Sequence, residues 1–287
     1  MTVKLRWLGY ACFEMVLPSG KVLVTDPYID YSSTAPISCQ EVTGADYITL
    51  THGHFDHITD VGTLAHKFGS SVICSRTVAG PLAELFDLNA DKLIKVTAGD
   101  TVTLDDLRVE VMKGQHVDLR KVMARIYERI TGEQPDPEMS FAEISKAVSP
   151  RLSRTYNSKL KEMIARIRDA GLEAGEQLNF IFQTGHNLRM CVFSSGPFEH
   201  LRQEVIKSRP DVYIGQLGGV DAEEAAEFAA LSGADLVIPY HHDSGGRWAS
   251  RSMAQKMEKH LATRSHAQFL AIEHGRWYEL GDGATAV

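Results

Sequence analysis

The order of elements along the sequence fits an α/β protein of the α+β kind, with a two-sheet core covered by helices on both sides. Two observations support this fold class. Strand-like runs come first, mixed strands and helices follow, and strand-like runs return near the end of the chain. The 287 residues are 44% hydrophobic, which is enough for a sizeable core in one large domain or two small ones.

The first half of the chain is mainly strand-like. Short apolar runs bounded by turn residues such as Pro18-Ser-Gly20 are typical of strands. We predict strands at residues 3–8, 12–17, 21–25, 46–50, 71–74, 93–96 and 107–112. Apolar residues at helical spacing predict helices at 60–68 and 78–86.

After His116 the pattern changes, because residues 119–176 contain almost no strand-like run. Helical spacing occurs at 119–130 and 158–169. We therefore predict a main domain of residues 1–118 and 177–287, with a helical insert at 119–176. Between residues 119 and 170 there are eleven Lys and Arg against seven Asp and Glu. The insert is then a lid that meets an anionic substrate, a solvated helical hairpin, or a contact between copies in a homo-oligomer.

The last part of the chain returns to alternating strands and helices. Strands are predicted at 178–184, 188–194, 211–214, 235–238, 268–272 and 277–280, and helices at 222–231 and 251–261. These elements would close the fold.

Composition excludes several classes of protein. The net charge of −7 and the pI near 5.9 argue against nucleic acid as the main partner. There is no apolar run of about 18 residues, so no membrane span is expected. Charged residues interrupt the N-terminal segment, which therefore lacks a signal-peptide core. The four cysteines form no CxxC pair and are expected to be reduced thiols. A cytoplasmic location is the expectation.

The most informative motif is Thr51-His-Gly-His-Phe-Asp-His57, which follows the strand-like run at 46–50. His52, His54, Asp56 and His57 place four possible metal ligands within six positions. Neutral imidazole and carboxylate suit Zn²⁺, and also Mn²⁺ or Fe²⁺. A regular strand would send His57 to the opposite face. A strand end followed by a glycine-bearing loop can instead direct the side chains around one centre.

The motif His-x-His-x-Asp-His resembles the signature of the metallo-β-lactamase-fold superfamily. The segments Lys4-Leu-Arg-Trp-Leu-Gly-Tyr-Ala-Cys-Phe13 and Gly20-Lys-Val-Leu-Val-Thr-Asp-Pro27 resemble the branch that contains L-ascorbate-6-phosphate lactonase and N-acyl-phosphatidylethanolamine phospholipase D. The resemblance covers residues 3–116 and 179–280. It implies an αββα sandwich and hydrolysis by a metal-activated water.

The resemblance also implies two further histidine ligands. His116 follows the strand at 107–112, where Gly114 lets the backbone approach closely. His241 aligns with the family's late ligand, and His242 competes with it but would point away from the site if the backbone stays extended. The implied metal sites are His52, His54 and His116 for one ion, and Asp56, His57 and His241 for the other.

Of these residues, Asp56 and His241 are also the candidate catalytic residues. Asp26, at the end of the strand at 21–25, is expected to orient a ligating imidazole by accepting its other N–H.

One departure from the family pattern leaves the number of ions at one or two. The family usually has a metal-bridging aspartate in a Gly-Asp step after a strand, whereas this chain has Gly196-Pro197. Proline cannot bind a metal ion. Glu199, His200 or Asp243 would have to replace the aspartate, or a water molecule would bridge alone.

The leading functional hypothesis is a metal-dependent hydrolase that acts on a small anionic ester or lactone through a metal-bound hydroxide. A phosphodiesterase of the nuclease or phospholipid-cleaving type is the alternative within enzymes. The replacement of the bridging aspartate by Pro197 also leaves open a non-catalytic metal-binding protein.

Overall fold

The strands of the chain form two seven-stranded sheets in the computed structural model, which describes residues 2–152, 156–185, 187–243 and 247–281. In chain order they are β1 (Val3–Gly9), β2 (Cys12–Val16), β3 (Val22–Thr25), β4 (Tyr47–Thr49), β5 (Ser71–Ser75), β6 (Leu93–Val96), β7 (Thr101–Leu104), β8 (Leu107–Lys113), β9 (Leu178–Thr184), β10 (Arg189–Phe193), β11 (Val212–Gln216), β12 (Leu236–Tyr240), β13 (Gln268–Phe269) and β14 (Trp277–Leu280).

Each sheet is antiparallel on one side and parallel on the other. The first sheet has the order β14-β1-β2-β3-β4-β5-β6 and becomes parallel from β3 onwards. The second has the order β13-β12-β11-β10-β9-β8-β7 and is parallel from β10 to β13. Parallel strands bring their carboxyl ends to the same edge of a sheet, which is where ligand-binding loops commonly lie.

Helices connect and cover the strands. They are α1 (Phe55–Ile58), α2 (Val61–Phe68), α3 (Arg76–Phe86), α4 (Leu119–Thr131), α5 (Phe141–Leu152), α6 (Ser158–Asp169), α7 (Arg202–Ser208), α8 (Ala222–Ser232) and α9 (Arg247–Ala262). Within the described ranges, none of these helices combines the length and the apolar character needed to cross a bilayer.

The main core lies between the two sheets. Leu5, Phe13 and Leu23 from the first sheet pack in one cluster with Phe180 and Phe182 from the second, and all five are fully buried. Two further clusters lie on the outer faces of the sheets. One joins the first sheet to α2, α3 and α6, and the other joins the second sheet to α8 and α9. The predicted fold class, two sheets between layers of helices, is confirmed.

Among the α-helices and strands named above, four were not predicted, namely α1, α5, α7 and β7. Strand β7 lies at a sheet edge, and its four residues, Thr101-Val-Thr-Leu104, alternate polar and apolar side chains over too short a run to stand out in the sequence. Helix α5 contains Pro150, yet Ile144 and Val148, one turn apart, are fully buried. The strand predicted at 268–272 is shorter in the structure, where β13 ends at Phe269.

A buried ion pair lies within the first sheet. Arg6 on β1 donates from Nε to Glu14 Oε2 on β2 at 2.6 Å, and the Glu14 side chain is fully buried. The other Glu14 oxygen accepts hydrogen bonds from the backbone and the hydroxyl of Thr43. The guanidinium also lies 4.6 Å from the ring of Trp277. The pair therefore holds the irregular segment before β4 against the sheet.

We expect Arg6→Met to lower the free energy of unfolding by about 3–5 kcal/mol, because it leaves the buried Glu14 carboxylate without its cation. Lys4→Met on the same strand is the matched control. Lys4 pairs with Glu279 at 3.2 Å, but both side chains are about half exposed, so its loss should cost at most about 1 kcal/mol. Urea denaturation measures both changes, and equal effects would contradict the argument.

Candidate metal site

The histidine motif spans a strand end, a loop and the first turn of a helix. Strand β4 ends at Thr49, His52 and His54 follow in the loop, and Asp56 and His57 lie in the short helix α1. The backbone of His54 is extended, whereas the residues after it are helical. This change of conformation within six residues directs the four side chains around one region, which a continuous strand could not do.

The first group of three, the all-histidine triad, consists of His52, His54 and His116. Their candidate ligand atoms all lie within 4.8 Å of one another. His52 Nε2 and His54 Nδ1 are 3.1 Å apart, and the His116 ring centroid lies 4.5 Å from that of His54. His116 Nδ1 donates to the carbonyl oxygen of Val117 at 3.0 Å, which leaves its Nε2 free for a ligand.

The second group, the aspartate triad, consists of Asp56, His57 and His241, whose ligand atoms also lie within 4.8 Å of one another. His241 Nε2 is 3.4 Å from Asp56 Oδ2, and His57 Nε2 is 3.9 Å from Asp56 Oδ1. The structure therefore brings together all six residues that the sequence predicts as ligands, and it groups them in the same two sets.

His241 and His242 differ in their surroundings because of an unusual backbone conformation. His241 has φ +58°, so the backbone is left-handed there, and the extended backbone on which the prediction for His242 was conditional is not present. The amide of His241 donates to the carbonyl of Tyr10 at 3.1 Å, and its ring faces Asp56. His242 is buried and stacks on Trp7 at 5.1 Å.

Asp26 contacts two residues of the histidine motif, Thr51 and His57, and holds them in position. Its carboxylate accepts hydrogen bonds from the amide and the hydroxyl of Thr51, at 2.7 and 2.9 Å. Asp26 Oδ2 also lies 3.3 Å from His57 Nδ1. This is the contact with an imidazole that the sequence predicts for Asp26, and it leaves His57 Nε2 directed towards Asp56.

The electrostatic state of the site suits a cation. Burial, reinforced by the neighbouring histidines, lowers the pKa of His52 well below its ordinary value and that of His116 to about 4, and burial also lowers the pKa of His54. Their nitrogens therefore have free lone pairs at neutral pH. Burial opposes ionisation of Asp56, but His57 and the hydrogen bond from His241 hold its pKa below the usual range.

The residues present fit a metal ion. Two imidazole nitrogens bound to one tetrahedral Zn²⁺ are separated by about 3.3 Å. The 3.1 Å between His52 Nε2 and His54 Nδ1 is close to that value. A buried carboxylate beside histidines provides the charge that a second cation would require.

None of the three residues considered as replacements for the bridging aspartate joins either triad. The Glu199 side chain is 88% exposed and pairs with Arg202. His200 stacks near Phe198. Asp243 is buried and accepts hydrogen bonds from the backbone amide of Tyr10 and the hydroxyl of Thr34, and it lies 2.9 Å from His274 Nε2. His274, to which the sequence gave no role, thus helps to hold the loop that carries His241.

Aromatic side chains beside the aspartate triad were missed by the sequence reasoning. The Tyr10 ring lies 4.9 Å from Tyr28 and 5.2 Å from His241. Phe55 contacts both Tyr28 at 5.9 Å and Tyr156 at 5.8 Å. We call Tyr10, Tyr28, Phe55 and Tyr156 the aromatic wall. Only the position of Phe55 inside the motif could have indicated it.

Comparison with known proteins agrees with this geometry. Residues 21–134 match the model of the beta-lactamase superfamily domain. A UPF0173 metal-dependent hydrolase of Solibacter usitatus is 44% identical over 71 residues, which are 25% of this chain and 30% of that protein. The first curated relatives are matched over only 30% to 48% of their length.

Solved structures share the fold over nearly the whole chain. Igni18, a metallo hydrolase from Ignicoccus hospitalis, has a TM-score of 0.65 at 18% identity, covering 98% of this chain and 100% of that one. The metallo-β-lactamase fold protein YhfI from Bacillus subtilis has a TM-score of 0.57 at 13% identity, covering 97% and 100%. The chain has the metallo-β-lactamase fold, and its residues 21–134 are similar to the beta-lactamase superfamily domain. The branch suggested by its N-terminal segments remains a prediction.

We expect Gly53→Ala to destabilise the protein. A Cβ at Gly53, inside the motif, would lie 2.2 Å from the carbonyl oxygen of Leu172, so either the motif loop or the segment after α6 must move. The free energy of unfolding should fall by about 1–3 kcal/mol.

Gly80→Ala in helix α3 is the control for this change, because a Cβ there meets nothing within 4 Å. It should stabilise the protein by roughly 0.5–1 kcal/mol. Urea denaturation of both variants measures the difference, and a Gly53→Ala protein as stable as the wild type would refute the close contact.

Proposed function

We propose that the protein is a metal-dependent hydrolase that acts on a small anionic ester or lactone. The observation that carries this proposal is the side-by-side position of the two triads, since the rings of His52 and His57 are 3.9 Å apart. Ions held by two adjacent triads could bind one substrate together. The names of the relatives and of Igni18 support a hydrolase.

The donors favour Zn²⁺, with Mn²⁺ or Fe²⁺ as alternatives. His52, His54 and His116 would hold one ion, and Asp56, His57 and His241 would hold the other. When bound, such an ion lowers the pKa of a water molecule towards neutrality and polarises the carbonyl oxygen of the substrate.

We assign proton handling to Asp56 and His241. They are in direct contact, and their pKa values are shifted apart. Burial disfavours the charged form of His241, but the hydrogen bond and the charge of Asp56 outweigh it and raise its pKa. In this respect His241 differs from the histidines of the all-histidine triad. A proton at His241 Nε2 is held towards Asp56 Oδ2, and uptake of an ion at that nitrogen would release it.

Positive side chains at the beginning of α4 support the proposal that the substrate is an anion. A small cavity of about 60 Å³ is lined by Val117, which follows His116, by Lys121 and Arg125 of α4, and by Pro197. Arg125 donates to the carbonyl oxygen of Gly219 at 3.4 Å, so its side chain lies across this cavity. Lys121 and Arg125 thus lie near Val117, the residue that follows the candidate ligand His116. Their positive charges would attract a carboxylate or a phosphate.

The aromatic wall supports the proposal that the substrate is an ester or lactone, because such a molecule has apolar carbon atoms next to its reacting oxygen. The pKa values of Tyr10 and Tyr28 are raised, chiefly by burial and then by the charge of Asp56. The two phenols are therefore neutral at physiological pH and can donate a hydrogen bond to a carbonyl oxygen.

We expect the purified protein to contain metal, and we expect His116→Ala to lose about one equivalent because it removes a ligand of the all-histidine triad. His266→Ala is the matched control, since His266 is an exposed histidine in the C-terminal region and should leave the metal content unchanged. Elemental analysis by mass spectrometry measures both.

Two outcomes would contradict the proposal in different ways. Unchanged metal content in His116→Ala would refute the ligand assignment. Metal in the wild type without turnover of any ester, lactone or phosphodiester in a chromogenic panel would support the non-catalytic alternative. Turnover of phosphodiesters alone would support the phosphodiesterase alternative.

We expect replacement of Arg120, Lys121 and Arg125 by Gln to raise KM for an anionic substrate by about fivefold or more, because each charge contributes up to about 1 kcal/mol. Activity should also become less sensitive to salt. The matched control removes three exposed cations elsewhere in the same segment, Lys146, Lys161 and Arg168, and should leave KM unchanged.

If the segment is instead a contact between copies, the Gln variants should keep their kinetics. Replacing Val122, Ile126 and Ile130 by Ala should then lower the mass of the assembly in solution, because it weakens the contact between copies. Val122 is half-buried and lies against Gly219 of the same chain, so the thermal stability of this variant must be measured in parallel. Unchanged KM in the Gln variant and unchanged mass in the Ala variant would refute both versions.

A further inference from the structure

A third cluster of possible ligands lies outside the two triads. It consists of Asp30 and Cys39, on the irregular segment between β3 and β4, and Asp60, which immediately precedes α2. One ligand atom from each lies within 4.8 Å of the others, and none of the three belongs to the histidine site. The cluster joins a long segment without strands to the helix that follows the histidine motif.

Asp60 carries the evidence that this cluster is built to hold something. The residue is 1% exposed, and its Oδ2 accepts hydrogen bonds from the amides of Ile29 and Asp30, at 2.7 and 3.1 Å. The other oxygen, Oδ1, is buried and has no hydrogen-bond partner within the described part of the chain. Leaving a buried carboxylate oxygen without a partner is costly, and a bound cation would remove that cost.

The other two members are already positioned. Cys39 is fully buried, and its amide donates to Asp30 Oδ1 at 2.8 Å, which fixes the Asp30 side chain beside the thiol. Asp30 itself is exposed, so the cluster can be reached from solvent. The nearby ammonium of Lys67 donates to the carbonyl oxygens of Cys39 and Gln40. In the described residues it makes no ion pair with these carboxylates.

The charges of the cluster agree with this arrangement. Burial raises the pKa of Asp60 to about 6; the amide of Ile29 opposes the shift, and the charge of Asp30 adds to it. Burial also raises the pKa of the Cys39 thiol, and the charges of Asp60 and Asp30 act in the same direction. Two carboxylates are thus held together beside a protonated thiol that hydrogen-bonds to them, and a divalent cation would offset the repulsion between the two carboxylates.

We propose that Asp30, Cys39 and Asp60 bind one divalent cation of borderline softness, such as Zn²⁺ or Co²⁺, separately from the histidine site. A thiolate ligand selects these ions over Mg²⁺ and Ca²⁺. Binding releases the thiol proton to solvent, and no electron transfer is involved. Water completes the coordination on the exposed side of Asp30. The ion would tie the segment between β3 and β4 to α2, next to the residues of the aromatic wall.

Titration of the metal-free full-length protein with Co²⁺ tests the proposal. A thiolate bound to Co²⁺ gives a charge-transfer absorption in the near ultraviolet, whereas histidine and carboxylate ligands do not. The six residues of the histidine site include no cysteine, so this band reports a cysteine ligand outside that site. We expect the band in the wild type to saturate at one equivalent, and Cys39→Ser to abolish it.

Matched variants separate binding from folding. Cys74→Ser replaces another fully buried free cysteine and should keep the band. Asp60→Asn and Asp30→Asn keep an oxygen that can accept the backbone hydrogen bonds, and each should weaken Co²⁺ binding by at least about tenfold. Asp30 is exposed, so its variant remains informative if Cys39→Ser does not fold. A wild-type protein without the band would overturn the proposal, as would a band of equal strength and affinity in Cys39→Ser or Asp30→Asn.

Discussion

The candidate metal site depends on two backbone hydrogen bonds that join the two sheets at one edge. The amide of Leu178, at the start of β9, donates to the carbonyl oxygen of Thr51 at 2.8 Å, and the amide of His241 donates to that of Tyr10 at 3.1 Å. The first bond holds the residue before His52 against the second sheet. The second bond brings the end of β12 to the turn between β1 and β2. Without them, ligands from different sheets would not converge.

Backbone strain accumulates around the same edge. Three residues other than glycine with positive φ lie at the site, namely Tyr10, Asp26 and His241, with φ of 47°, 40° and 58°. A left-handed conformation costs such residues roughly 1–2 kcal/mol each. The cost is offset locally, because each of the three makes a contact that holds it in place. Asp26 receives two hydrogen bonds from Thr51, and Tyr10 receives one from His241 and donates one to Asp243. Strain held in this way is common at functional sites.

Burial determines the charge state of the site. Withdrawal from water lowers the pKa of His52, His54 and His116, whereas contact with Asp56 raises that of His241. Burying an ionised carboxylate beside neutral imidazoles destabilises a protein interior that holds no ion. The same groups bind a cation favourably. The same reasoning applies to the cluster of Asp30, Cys39 and Asp60, where a buried carboxylate oxygen has no hydrogen-bond partner among the described residues.

The sequence by itself determined the fold class, most strands and the six residues that converge at the candidate site. It could do so because hydrophobic periodicity reports burial directly, and because the motif concentrates rare ligand types at a strand end. Only the tertiary structure decided how His241 reaches Asp56, since its left-handed backbone and its bond to Tyr10 leave no local signal. The aromatic wall and the Asp30, Cys39 and Asp60 cluster also required the structure. Their members are distant in the chain and individually ordinary, and long-range packing alone makes them neighbours.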